Sequence, residues 1–348
     1  MYRQAEVLFV YRGQDLKRIA VTMGDPAGIG GELILKALEK LTRRSIPVII
    51  GDAPVLESLS RHMFHGTEFR MKPLGQASAG EAEFVDLGVM KGEVRLGLSD
   101  AACGAASYHY LKEALKLIFS GSVSAVVTCP INKKSIRSAG MPFPGHTELF
   151  AHYAGVTDYV MMMQNRGLRV CLVTIHTPLK DVPALITPER VFRCIALTNR
   201  SLKVDFGIAS PHLRVCGLNP HAGEQGVMGD EERAITEAVN RARASGMRVE
   251  GPIAADSLFH APDCDACIAM YHDQGLIPVK TLDFRRTVNI TLGLPLVRTS
   301  VGHGTGLDIA GKGEADPTSL IEAYRVAESI VAVRSRAGRR GAKEGYAG

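Results

Sequence analysis

The sequence predicts an α/β fold, because short apolar runs alternate with stretches of helical periodicity along most of the chain. Polar and glycine-rich clusters follow several of the apolar runs, at the position where open α/β sheets carry their ligand-binding loops. The composition, 46% hydrophobic and 22% charged over 348 residues, is that of a globular protein with a large core. No apolar run approaches the roughly 18 residues of a membrane span.

The first half of the chain is predicted to hold strands at Ile19–Met23, Val48–Ile50 and Ser124–Thr128. Helices are predicted at Gly31–Leu41 and Ala101–Phe119. The second helix has apolar residues at steps of three to four, with one longer gap, which is the pattern of an amphipathic helix.

The second half continues the same alternation of strands and helices. Strands are predicted at Val170–Thr174, Arg214–Leu218, Ile268–Met270 and Val288–Leu292. Helices are predicted near Pro188–Leu202 and Asp230–Ser245.

Both termini are expected to be mobile, over residues 1–17 and 334–348. The formal charge is +5, but the last fifteen residues carry five basic side chains against one acidic one, so most of the charge lies in this tail. Basic and aromatic residues are not interleaved there, which disfavours nucleic-acid binding.

The apolar stretch Val7–Val10 is too short for a secretory leader, and a cytoplasmic location without membrane attachment is expected.

Several common functional motifs are missing. The segment Gly28–Glu32 breaks the G-x-G-x-x-G spacing after the first predicted strand, so a Rossmann dinucleotide site is disfavoured. The chain has no P-loop, no H-E-x-x-H and no G-x-S-x-G. A dinucleotide would therefore have to be held in another way.

Three histidines follow β-like runs and have small or polar neighbours: His176, His221 and His272. Separations of 45 and 51 residues are too long for one local metal loop but suit ligands delivered by different strand ends. Three imidazoles leave an open position on a divalent ion, as in a catalytic Lewis acid. The alternative is that they are hydrogen-bonded structural histidines, which are more common.

Other polar residues are candidate ligand contacts. His146 and Thr147 stand at a predicted helix N-terminus, which favours an anion, although Thr147 could simply cap that helix. Lys280, Asn289 and Arg298 form a spaced series of possible anion or hydroxyl contacts, or are solvated side chains.

A glycine-rich loop and one carboxylate complete the candidates. Gly302, His303, Gly304 and Thr305 could let the backbone approach a phosphate or an adenosine, or could form a flexible connection. Asp256 is a candidate acid near a strand end.

One pair of the seven cysteines has an informative spacing. Cys264 and Cys267 form a C-x-x-C, which could bind zinc or carry out thiol redox chemistry. A zinc ribbon needs a second such pair, and thioredoxin-like sites lie near the first strand of their unit. Neither condition holds, so two packing cysteines are the favoured interpretation.

The motifs together resemble the 4-hydroxythreonine-4-phosphate dehydrogenase family. Segments similar to that family's motifs occur in its order and span about residues 18–330: Met23–Gly30, Pro130–Lys133, Pro144–Glu148, Gly217–Glu224, Ala269–Leu276 and Asn289–Pro295. Gly302 stands where an aspartate is common in the family, which leaves the choice between NAD and NADP open.

The resemblance implies a fold like that of isocitrate and isopropylmalate dehydrogenases, with two α/β/α lobes, non-Rossmann dinucleotide binding and an obligate homodimer. The expected domains are residues 1–128 with 280–348, forming an outer domain, and residues 129–279, forming a central domain with the dimer interface.

The resemblance also implies the site and the reaction. His176, His221 and His272 would bind a divalent metal (zinc, cobalt or magnesium) shared across the dimer, and a second set would contact the substrate: His146, Thr147, Lys280, Asn289 and Arg298. Gly302–Thr305 would contact NAD or NADP, and Lys280 and Asp256 are candidate catalytic groups.

The implied reaction oxidises 4-phosphohydroxy-L-threonine to a keto acid that decarboxylates, in pyridoxal 5'-phosphate biosynthesis. Related enzymes act on 4-phosphoerythronate, 4-phospho-D-threonate or aromatic dihydrodiols, so these substrates are the alternatives.

Overall fold

The structure is a computed structural model that describes residues 17–64, 71–143 and 145–344. The first elements in chain order are β1 (Arg18–Thr22), α1 (Gly30–Leu41), β2 (Ile46–Gly51), α2 (Ala53–Phe64), β3 (Lys72–Pro73), β4 (Glu83–Asp86), α3 (Ala101–Phe119), β5 (Ala125–Thr128), α4 (Lys133–Ser138) and α5 (His146–Tyr153). The remaining elements are β6 (Val160–Gln164), β7 (Arg169–Leu172), α6 (Val182–Leu185), α7 (Pro188–Phe206), β8 (His212–Cys216), α8 (Glu231–Ala244), β9 (Arg248–Ile253), α9 (Ala255–His260), β10 (Ala266–Ala269), α10 (His272–Asp283), β11 (Val288–Leu292), β12 (Arg298–Val301) and α11 (Thr318–Glu344).

The chain divides into two compact units. The terminal unit comprises Met1–Thr157 and Leu294–Gly348, and the central unit comprises Asp158–Gly293. The domain division with boundaries after residues 128 and 279 stays a prediction. The α/β class is confirmed, because strands and helices alternate in both units.

The terminal unit is built on parallel strands in the order β3-β4-β2-β1-β5-β12. Strands β2 and β5 are buried along their whole length and β1 is buried from Ile19 to Thr22, as expected of a parallel sheet covered by helices. Ala20, Val48 and Val126 are 0% exposed, so the core of this unit lies along β1, β2 and β5.

The central unit has a mixed sheet in the order β11-β6-β7-β10-β8-β9. Strand β6 runs antiparallel to both β11 and β7, whereas β7, β10, β8 and β9 are parallel to one another. Strand β6 is not among the predicted strands, because its sequence VMMMQ lacks the alternation of a half-buried strand. Parallel β7, β10 and β8 end at the same edge of the sheet.

The predicted helices agree with the structure because local signals set their ends. The carboxylate of Asp100 accepts a hydrogen bond from the Ala102 amide at 2.7 Å, which caps α3. Thr187 caps α7 in the same way, Pro188 follows as the first helical residue, and Gly207 ends the helix at a φ of 71°.

The turn before α1 admits only glycine at one position. A Cβ at residue 30 would lie 1.9 Å from the carbonyl oxygen of Met23, so the helix can start this close to the end of β1 only with Gly30. The amide of Ile29 donates to the carbonyl of Thr305 at 3.0 Å. The glycine-rich loop after β12 therefore lies against this turn within the terminal unit.

Residues 334–344, which belong to the tail expected to be mobile, continue α11 to Glu344, and their mobility stays a prediction. Alanine, arginine and lysine are frequent in that segment, and their high helix propensity extends the helix. Residues 345–348 and 1–16, which belong to the two segments expected to be mobile, lie outside the described residues. No helix in the described part combines the length and the apolar character that crossing a bilayer requires.

Candidate active site

Arg298 is the centre of a polar cluster in the terminal unit. The residue is only 2% exposed, at the start of β12, which pairs in parallel with β5. One guanidinium nitrogen donates to the Thr128 hydroxyl at 2.9 Å, and the other lies 3.5 Å from that of Thr147. Burial lowers the pKa of Arg298 to about 10, and the charge of Glu148 opposes that shift. A buried guanidinium can bind an anion through charge-assisted hydrogen bonds.

His146 adds an uncharged ring to the same cluster. It is the first residue of α5, and its ring hydrogen-bonds the backbone of Cys129. Burial and the charges of Arg298 and Lys133 hold its pKa well below 6.5, so the imidazole is neutral at pH 7. Its Nε2 is buried and has no hydrogen-bond partner among the described residues. A buried ring nitrogen of this kind is suited to bind a polar group of a ligand.

The glycine-rich loop of residues 302–305 is fixed at both ends inside the terminal unit. The amide of Gly302 donates to the Ser319 hydroxyl at 2.9 Å, and the Thr305 hydroxyl donates to the carbonyl of Ile131 at 3.2 Å. Between them Gly304 is exposed, and a Cβ there would contact nothing within 4 Å. The loop is therefore held in place at both ends, and its middle part is accessible to solvent.

The three candidate metal histidines belong to the central unit and follow the ends of adjacent strands. His176 comes after β7, His272 after β10 and His221 after β8. Since β10 pairs in parallel with both β7 and β8, all three histidines emerge at the same sheet edge. The Gln274 side chain links two of these loops, because it accepts from the Met270 amide at 2.7 Å and donates to the Gly217 carbonyl at 2.8 Å.

Two of the histidines lie close together. The ring centroids of His176 and His272 are 5.7 Å apart, and Nδ1 of His272 lies 2.6 Å from the Asp273 carboxylate. A carboxylate on Nδ1 leaves Nε2 for a metal, as in many histidine metal sites. Imidazoles with such a partner fit a divalent ion such as zinc or cobalt. Among the described residues, however, no three histidine, cysteine, aspartate or glutamate side chains lie close enough to hold one.

His221 lies in an unusual left-handed turn. The segment Pro220–Gly226 contains four non-glycine residues at positive φ, from His221 at 52° to Gln225 at 59°. This conformation is unfavourable for L-residues, by roughly 1–2 kcal/mol each, so the surrounding structure has to hold it.

Glu232, in the first turn of α8, binds the backbone just before the left-handed turn that contains His221. One carboxylate oxygen accepts from the amides of Leu218 and Asn219 at 3.0 and 2.7 Å, and the other accepts from the Asn219 side chain at 3.0 Å. Glu232 is 8% exposed, so these charge-assisted bonds are shielded from water.

The remaining candidates are also in the central unit. Lys280 is on α10, with its ammonium 5.4 Å from the centre of the Phe284 ring. Asn289, on β11, has a buried amide oxygen with no partner among the described residues. Asp256 is exposed in the first turn of α9.

The structure thus brings His146, Thr147 and Arg298 together in one unit and brings His176 close to His272 in the other. Asp273 and Glu232 are not among the residues predicted from the sequence. Asp273 could have been found from its position directly after His272. Glu232 follows the residues that it binds by thirteen or fourteen positions, and no local motif indicates it.

A family model described as pyridoxal phosphate biosynthetic protein PdxA matches residues 43–327. A 4-hydroxythreonine-4-phosphate dehydrogenase from a Ruegeria species is 45% identical over 321 residues, covering 91% of this chain and 97% of the relative. A D-threonate 4-phosphate dehydrogenase from Cupriavidus necator is 40% identical over 329 residues, covering 91% and 98%. The crystal structure of 4-hydroxythreonine-4-phosphate dehydrogenase from Klebsiella pneumoniae matches with a TM-score of 0.79 and 37% identity, covering 90% of this chain and 99% of that one.

Proposed function

This chain belongs to the pyridoxal phosphate biosynthetic protein PdxA family, and from that premise we propose that it is a metal-dependent NAD(P) dehydrogenase of 4-phosphohydroxy-L-threonine. The reaction oxidises the secondary alcohol to a 3-keto acid, which loses carbon dioxide to give 3-amino-2-oxopropyl phosphate for pyridoxal 5'-phosphate biosynthesis. The observation that carries the proposal is the 45% identity over nearly the full length of a relative with that name.

The substrate-binding residues would be His146, Thr147, Lys280, Asn289 and Arg298. Arg298 supplies a buried cation for an anionic group, and hydrogen bonds to an ion are about twice as strong as neutral ones. The neutral His146 ring and the Asn289 amide oxygen each have a buried atom available for a polar group. Binding the substrate at several points fixes its reacting alcohol in one orientation.

His176, His221 and His272 would hold the divalent ion. A metal bound there would act as a Lewis acid, lowering the pKa of the substrate alcohol and polarising the ketone. The chain by itself brings two of the rings together. We therefore infer that the ligand set is completed in a homodimer, in which the site is shared between two copies of this chain.

The nucleotide-binding and catalytic roles are assigned to two further groups of residues. Gly302–Thr305 would contact NAD or NADP, which accepts the hydride and whose chemistry the protein only orients. Lys280 and Asp256 are the candidate groups for proton transfer. Both the reaction and its nucleotide cofactor fit a cytoplasmic enzyme.

A substrate panel tests this proposal. Purified, metal-replete protein should reduce NAD⁺ or NADP⁺ with 4-phosphohydroxy-L-threonine faster than with 4-phospho-D-threonate or 4-phosphoerythronate. His221→Ala should lower the rate on the order of a thousandfold, because several kcal/mol of transition-state stabilisation would be lost. His62→Ala, on the exposed face of α2, is the matched control and should keep the wild-type rate.

Two results would contradict the assignment. Faster turnover of 4-phospho-D-threonate or 4-phosphoerythronate would make that compound the substrate, and the assignment as a dehydrogenase would stand. Full activity of His221→Ala would remove the metal role assigned to that side chain.

A further inference from the structure

Cys264 and Cys267 form a close pair of thiols in the central unit. Their sulfur atoms are 3.6 Å apart, which is within contact distance. Cys267 lies on β10, is 0% exposed and belongs to the hydrophobic core of the unit. Cys264 precedes the strand and is partly exposed, whereas the other five cysteines of the chain are buried. The pair therefore has one accessible thiol and one thiol directly behind it.

Arg214 provides a positive charge beside the accessible thiol. The S–H of Cys267, the charge of Arg214 and a hydrogen bond from the Arg214 backbone lower the pKa of Cys264, against the effect of burial. The contact with the Cys264 sulfur, and after it burial, raises the pKa of Cys267. The thiolate is the nucleophilic form of cysteine. Cys264, with its lowered pKa, therefore has the property of an attacking cysteine, and Cys267, with its raised pKa, has that of a resolving cysteine.

The loop that carries Cys264 is fixed to the start of β8. The amide of Asp265 donates to the carbonyl of His212 at 2.8 Å, and the Asp265 carboxylate accepts from the His212 amide at 2.8 Å. The guanidinium of Arg214 is held by the carbonyl of Ala261 at 2.9 Å and lies 3.5 Å from Glu250. Both the thiol and its cationic neighbour are thus positioned by the fold.

Zinc binding does not account for the pair in the described part of the chain. A zinc site needs at least three protein ligands, and no third histidine, cysteine, aspartate or glutamate lies close enough to complete one. Thiol redox chemistry needs only the two cysteines.

We infer that Cys264 and Cys267 form a dithiol site that exchanges reversibly with small-molecule disulfides. The Cys264 thiolate attacks one sulfur of a disulfide RSSR, which gives a mixed disulfide and releases one thiolate RS⁻. The Cys267 sulfur then attacks Cys264, forms the intramolecular disulfide and releases the second RS⁻. The two cysteine protons pass to the two leaving thiolates, so the protein loses two electrons and RSSR gains them.

Peptide mapping by mass spectrometry after incubation with oxidised glutathione at pH 7 tests the inference. Wild-type protein should form the Cys264–Cys267 disulfide, recognised by the loss of two hydrogen atoms and its reversal by dithiothreitol. Cys267→Ser should stop at the glutathione adduct of Cys264, and Cys267→Ala provides a second version of that variant. Cys194→Ala, at a buried position on α7, is the control and should oxidise as the wild type does.

The rate of alkylation supplies a second measurement on the unmodified protein. Cys264 should react with iodoacetamide at least about tenfold faster than any other cysteine, and Arg214→Gln should slow that reaction several-fold. Intact thiols after glutathione treatment of the wild type, or a Cys264 that reacts no faster than the buried Cys171, would overturn the inference. Neither readout depends on dehydrogenase activity, so the result is independent of the proposed function.

Discussion

His146 and Arg298 combine a neutral ring and a buried cation in one cluster of the terminal unit. Removing an arginine from water is unfavourable, and here the guanidinium donates hydrogen bonds to the hydroxyls of Thr128 and Thr147. The same positive charge disfavours protonation of His146. The cluster therefore remains cationic at Arg298 and neutral at His146 over the physiological pH range.

The pH dependence of stability should report the burial of His146. Its pKa in the folded protein lies below the value of about 6.5 expected in the unfolded chain, so the unfolded state binds a proton that the folded state does not. Stability should fall as the pH drops below about 6.5, by up to about 1.4 kcal/mol per pH unit from this group, and level off below the folded pKa. Urea unfolding of the wild type and His146→Gln between pH 7.5 and pH 5 measures the difference.

His109→Gln, at an exposed position on α3, is the control for that comparison and should follow the wild type. Equal pH dependence of the wild type and His146→Gln would show that His146 is not protected from protonation.

The three candidate metal histidines of the central unit follow the ends of strands. Strands β7, β10 and β8 run side by side in parallel, so the loops after them emerge together. The loop after β8 is the one that departs from ordinary backbone geometry, with its left-handed turn at His221. A carboxylate on the following helix, Glu232, binds the backbone just before that turn.

We expect Glu232→Gln to weaken metal binding without unfolding the central unit. The amide keeps the size of the side chain but loses the charge that two backbone N–H groups contact, so the His221 turn is held less firmly. Outer-shell substitutions of this kind lower metal affinity by about 10- to 100-fold. Calorimetric titration of metal-free protein with Co²⁺ gives the dissociation constant. Glu237→Gln, exposed on the same helix, should bind Co²⁺ as the wild type does, and equal affinity in Glu232→Gln would contradict the positioning role.

The proposed metal site would be shared between two copies of this chain. Within the described residues, two of the three candidate histidines, His176 and His272, have ring centroids 5.7 Å apart. Most soluble oligomers are homo-oligomers with two-fold symmetry as the commonest form.

Light scattering should therefore give a mass of twice the 37.5 kDa chain for the active protein. Treatment with a chelator should abolish activity, because the Lewis acid is lost, and added Co²⁺ or Zn²⁺ should restore it. A monomer with full activity would contradict the shared site, and full activity after complete removal of metal would contradict the metal requirement.

Local patterns in the sequence predicted much of the fold. Ala101–Phe119 and Val288–Leu292 were predicted with their observed bounds, because apolar spacing and capping residues act over a few positions. Strand β6 and the extension of α11 past residue 334 were not predicted. An uninterrupted apolar run does not distinguish a buried strand from a helix, and a charged, glycine-containing tail can continue a helix that tertiary packing has already started.

The amino-acid sequence by itself determined the α/β class, the family resemblance and the identity of the candidate ligands, because these depend on residue type, order and short-range periodicity. Only the tertiary structure decided which side chains meet: Arg298 with Thr128, His176 with His272, Glu232 with the backbone before His221, and Cys264 with Cys267. Most of these contacts join residues on different strands or helices. Strand pairing and burial set the distances between these residues and the charge states of their side chains, and the short-range pattern of the sequence does not encode either.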